Sequence, residues 1–148
     1  MVLKEFKTGP VYQGSLNKGT DIVSGLAHVM KIHAITAGMV SGIGAVSEAQ
    51  IGYFNAETKS YEKKSLQENM EIVSLKGNIS FKDNEIFPHL HVVLSGRDFA
   101  AVGGHLFSGT VYAFEFEVIL FEDKPFVRVF DSDTGLFLWK KESTEPHE

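Results

Sequence analysis

The stretch Thr110 to Phe121 constrains this chain most. Tyr112, Phe114, Phe116, Val118 and Leu120 stand at alternate positions, with Val111, Ala113, Glu115, Glu117, Ile119 and Phe121 between them. Residues at i and i+2 share one face of a strand, so this reads as the longest strand of the chain, apolar on most of both faces. Such a strand is covered on both sides. One helix is legible elsewhere, and one helix cannot cover both faces of a sheet with many strands. The remaining face calls for another subunit, so a homo-oligomer is expected.

The helix lies near the N-terminus. Val11 to Leu16 reads as a strand and Asn17-Lys18-Gly19 as a turn, after which Asp21 (or Thr20) makes a good N-cap. Ile22, Leu26, Val29, Met30 and His33 follow at helical spacing, predicting an amphipathic helix to about Thr36 with Gly38 placed to end it. Later segments read as strands: Met39 to Val46, Ala49 to Phe54, Ser60 to Leu66, Met70 to Ile79 and His89 to Ser95. Turns fall at Asn55 to Lys59 and Gly96-Arg97-Asp98, and Val127 to Phe130 and Leu136 to Trp139 flank another at Asp131 to Gly135. Residues 1–140 form one domain on this reading, and the charged segment 141–148 is expected to be a disordered tail.

Chemistry concentrates in Pro88-His89-Leu90-His91 and Gly103-Gly104-His105, which hold three of the six histidines. In a strand His89 and His91 project together, and the glycine pair reads as a loop that brings His105 back to them. Neutral imidazole is the commonest ligand for a borderline transition metal, and three histidines with one position open suit a zinc-like divalent ion. His89, His91 and His105 are therefore the candidate metal ligands. The competing reading makes each a satisfied histidine at a strand end or a subunit interface. His28 and His33 stand at i, i+5 on the helix, which is no ligand spacing on one face.

Other motifs carry less. Gly38 to Gly44 lacks the strand-before, helix-after context of a dinucleotide loop. Asp133-Thr134-Gly135 copies an aspartic-protease triplet, but Asp131, Ser132 and Thr134 suit a β-turn with Gly135 at positive φ. Glu115 and Glu117 share a face as a solvated or interface strip, or as partners to a histidine. Arg97 reads as a solvated turn residue.

Composition narrows the classes. With 14 basic against 19 acidic residues, net charge −5, no general attraction to nucleic acid or anionic lipid is expected. The absence of cysteine excludes disulfides and thiolate metal sites and suits a cytoplasmic location. Met1 to Thr8 lacks the apolar core of a signal peptide, and no apolar run is long enough to span a membrane.

Five segments in order, Gly42-Ile43-Gly44-Ala45, Leu75-Lys76-Gly77-Asn78-Ile79, His89 to Leu94, Gly103 to Gly109 and Asp131 to Leu136, resemble the PPC (plant and prokaryote conserved) domain over nearly the whole chain. That resemblance implies an α+β fold, a largely antiparallel sheet with one main amphipathic helix, assembled as a homotrimer. Plant members carry an AT-hook that binds the minor groove of DNA; this chain has no such segment. The plant partner-contact motif falls on Glu68 to Val73, where only Glu71 and Ile72 match. His89, His91 and His105 match the prokaryotic pattern, whose members look able to hold a metal there.

Three functions follow as expectations. By resemblance the chain is a trimeric DNA-binding or regulatory protein, with DNA bound weakly because phosphate neutralisation needs a basic surface. Alternatively it is a metal-dependent enzyme or small-molecule binder working at His89, His91 and His105. The third is an oligomeric interaction module without chemistry.

Overall fold

Asp21 starts the helix as its chemistry requires: its Oδ1 accepts from the Ser24 N–H at 2.8 Å, and its Oδ2 accepts from the Gly109 N–H at 2.9 Å. The computed structural model describes residues 2–122 and 124–139; the expected tail 141–148 lies outside them. Helix α1 (Ile22–Ile32) is the one helix among the described residues, and it buries Ile22, Leu26 and Met30 against β5 (Glu85–Ser95) and β6 (Ala101–Phe121). It stops earlier than the expected Thr36. Ala34, not Gly38, takes the left-handed turn at φ 52°, with the Ala34 N–H bonded to the Lys31 carbonyl and the Ile35 N–H to the Met30 carbonyl. Burial of both Met30 and Ile35 fixes this Schellman ending without glycine, and Gly38 instead opens a strand.

The other strands are β1 (Thr8–Leu16), β2 (Gly38–Asn55), β3 (Ser60–Leu66), β4 (Met70–Lys82), β7 (Val127–Asp131) and β8 (Leu136–Trp139). They form one largely antiparallel sheet with β7 parallel to β4, so the fold is α+β. The sheet closes on itself. The first half of β2 pairs with β4 as well as with β6, β4 with β5, and β5 with the start of β6, whose next residues meet the second half of β2. The inner side of this ring and α1 hold the core, including Val40, Leu75, Leu90, Val92, Leu106 and Val118.

Long strands bend this far because their registers slip. Opposite Ala45-Val46, β6 gives an extra residue, Tyr112, which turns outward. The alternation read from Tyr112 is thereby broken: Val111 is buried, then Phe114, Phe116 and Val118, while Glu115, Glu117 and Ile119 are exposed. On β2, Gly44 sits at φ 142°, where an added Cβ would strike the Ala113 carbonyl. The two strands expected on either side of Val46 to Ala49 are thus one bulged strand.

Candidate metal centre

Strand alternation puts Leu90, Val92 and Leu94 of β5 inward, so His89 and His91 face outward. His105 was expected on a loop. It lies within β6, directly opposite His91 in the register, because Gly103 and Gly104 act as strand residues that permit close approach: a Cβ at Gly104 would meet the Gly52 carbonyl oxygen at 2.5 Å. The three imidazoles converge. Ring centroids are 5.0 Å apart for His89–His105, 5.1 Å for His89–His91 and 5.6 Å for His91–His105. One ring nitrogen from each lies within 4.8 Å of the others.

Aromatic side chains wall the group. Tyr61 of β3 and Phe107 of β6 pack on His105 at 5.2 and 4.7 Å, and Phe87 stacks beside His89 at 6.2 Å. Gly52, opposite His105, makes room for them, since a Cβ there would lie 2.5 Å from the Phe107 ring. Burial, with the charges of Arg128, His105 and His91 adding to it, pushes the His89 pKa down to about 4. His105 is likewise pushed down to about 4, by burial first and then by His91, Arg128, Lys63 and Lys82. Both rings are neutral at pH 7, the state a metal ligand needs.

The arginine was not legible beforehand. Arg128 is 9% exposed while its neighbour Val127 is 50% exposed, the reverse of the usual order. Its Nε donates to Ser80 Oγ at 2.9 Å, Nη1 to the Phe137 carbonyl at 3.0 Å, and Nη2 to Asn78 Oδ1 at 2.9 Å. Nη2 also lies 3.2 Å from His89 Nδ1. A lone arginine inside the apolar run Val127 to Phe130 was the available signal. Arg97, weighed from sequence, is exposed in its turn, and His28 is exposed on α1. Glu115 and Glu117 line a separate depression of about 620 Å³ with Gln13, Ser41, Ile43 and Lys76, and Glu117 accepts from Gln13 Nε2 at 2.6 Å. The Asp131 carboxylate accepts from the Asp133 N–H and Gly135 has φ 77°, so that segment is the expected turn.

The donor set fits a divalent metal. His105 Nδ1 is buried without a hydrogen-bond partner, an arrangement that costs about 1–3 kcal/mol unless something occupies it. A tetrahedral ion with 2.0–2.1 Å bonds needs ligand atoms about 3.3 Å apart, so the ring nitrogens, within 4.8 Å of one another, would draw together to hold one. His89 requires one adjustment. A guanidinium only donates, so Nδ1 accepts and Nε2 carries the proton; to ligate as a neutral ring, His89 would give up the Arg128 contact, by turning over or by offering Nδ1 to the ion instead.

Residues 3–124 match the model of the Plants and Prokaryotes Conserved (PCC) domain. The chain belongs to that family. Among solved structures it is similar to a metal-containing protein from Archaeoglobus fulgidus, at 43% identity over 95% of this chain and 100% of that one, TM-score 0.92. A plant- and prokaryote-conserved protein from Pyrococcus horikoshii is 32% identical over 95% and 98%, TM-score 0.90. A proposed DNA-binding protein from Bacteroides thetaiotaomicron is 34% identical over 91% and 96%, TM-score 0.83. No curated protein matches the chain. Among the described residues no helix is long and apolar enough to cross a membrane.

Proposed function

We propose that this PCC-domain protein, taken as residues 1–140, holds a divalent transition metal such as zinc at His89, His91 and His105 and binds a small molecule there. The buried, unpartnered His105 Nδ1 within a converging set of ring nitrogens carries the reading. The similar Archaeoglobus fulgidus protein, described as metal-containing, supports it. Bound by three neutral imidazoles, such an ion keeps its positive charge and an open position, and supplies Lewis acidity. The protein's own residues do the rest: β5 and β6 fix the ring positions, Arg128 holds His89 in the metal-free site, and aromatic side chains wall the group.

DNA is the second reading, favoured by the description of the Bacteroides thetaiotaomicron structure. Net charge −5 weighs against strong phosphate neutralisation, so weak, salt-sensitive binding is the form this reading takes. A homotrimer and a cytoplasmic location complete the proposal.

Metal analysis of protein purified without an affinity tag tests the main reading. About one ion per chain is expected, lost in His91→Ala and retained in His28→Ala. His91→Ala should weaken zinc binding by more than the about 10–100-fold that outer-shell changes cost, with the fold intact. Unchanged metal content in His91→Ala would remove the site.

A further inference from the structure

The charge around the three histidines is unbalanced. All four acceptors that Arg128 reaches, Ser80 Oγ, Asn78 Oδ1, the Phe137 carbonyl and His89 Nδ1, are uncharged. Among the described residues no salt bridge joins Arg128, Lys63 or Lys82 to a carboxylate. Lys63 Nζ lies 4.1 Å from the centroid of the Phe107 ring, which packs on His105. Lys82 Nζ lies 3.9 Å from the Phe137 ring and 5.4 Å from the Phe87 ring, which stacks beside His89. Lys76 stands opposite His91 in the register but borders the depression that holds Glu115 and Glu117, so it does not belong to this unbalanced set. The acids nearby in register or sequence, Glu85 across from Lys82 and Glu62 beside Lys63, are exposed, and Glu62 accepts from Asn55. Arg128 is a buried cation without an anion, which is costly, while Lys82 is half-buried and Lys63 exposed. A divalent ion on three neutral imidazoles would add two positive charges to the same place.

We infer that the site takes a small organic anion, with its carboxylate at the open coordination position and its body against Tyr61, Phe87, Phe107 and Phe137. This rests on the metal reading above. A carboxylate has two oxygens, one for an ion and one for a lysine ammonium, and a charge-assisted hydrogen bond of that kind is among the stronger ones. Inorganic phosphate shares the oxyanion but has no apolar body for the rings to hold.

Untagged, zinc-reconstituted protein titrated calorimetrically with benzoate, and separately with inorganic phosphate, tests the inference against the double variant Lys63→Gln, Lys82→Gln. Benzoate should bind more tightly than phosphate. The double variant should bind benzoate at least tenfold more weakly (~10-fold, the change expected from weakening one charge-assisted contact) while zinc content and thermal midpoint stay the same. Equal benzoate affinity in both proteins, no benzoate binding, or tighter phosphate binding overturns it. If the wild-type protein takes up no zinc, the metal reading fails by itself. Benzoate titrated into metal-free protein then decides: binding that weakens in the double variant keeps the anion site, and no binding removes it.

Discussion

His89 and His105 couple the site to stability as well as to ligands. Their folded pKa values are about 4, against an ordinary 6.5. Between those values the unfolded chain binds more protons than the folded one, so stability rises with pH there. In metal-free protein the contribution of these two rings should be full above pH 6.5, shrink as pH falls toward 4, and change little below. Denaturant midpoints across pH 4–8 measure this; in a His89→Gln, His105→Gln variant the slope should flatten, and an unaltered slope would refute the assignment. Residue by residue, the site was partly readable. His89 and His91 follow from i, i+2 spacing alone. His105 does come to the other two rings but was placed on a loop, because a glycine pair signals a turn until the pairing strand is known. Arg128 offered only its place in an apolar run: the acceptors that hold it, Ser80 and Asn78, come from another strand.

At the scale of elements, the hairpin β7–β8 matters more than its length suggests. It joins the sheet through two register pairs, Phe81 with Val127 and Lys82 with Arg128, and Trp139 stacks on Phe126 at 4.5 Å. Arg128 is the polar bolt in that contact, since Ser80 is fully buried and its Oγ accepts from the Arg128 Nε–H. Arg128→Met should cost about 1–3 kcal/mol, the penalty of leaving buried Ser80 and half-buried Asn78 without their donor. Hydrogen exchange should show β7 amides opening before those of β6; equal protection in variant and wild type would refute the role. Elements were legible in type and order, from the Asp21 cap to the hairpin turn at Gly135. Their joins were not. The helix end at Ala34 depends on burial of Ile35, and the slip at Tyr112 depends on the partner strand, and neither is encoded in local periodicity.

At the scale of the whole molecule, one outer face of the sheet is left apolar and uncovered. The expectation of a second subunit began from a strand apolar on both faces, and the bulge at Tyr112 changes which residues lie outside. Following the register across the sheet, Val11 pairs with Ile119, Ile119 with Met39, Met39 with Asn78, and Asn78 with His89. The first three are exposed, as are nearby Ile43 and Val73. Exposed apolar residues in a row across adjacent strands, rather than scattered singly, mark an association surface. Light scattering of the proposed trimer should give about three times the chain mass, a contact whose loss would expose this row again. The double variant Met39→Glu, Ile119→Glu should shift the mass toward one chain, because two carboxylates per copy would be desolvated in the contact. All three histidines belong to one chain, so the dissociated variant should still take up zinc. A wild-type protein that stays a soluble monomer at micromolar concentration would defeat the assembly. A double variant that remains trimeric would place the contact on another face.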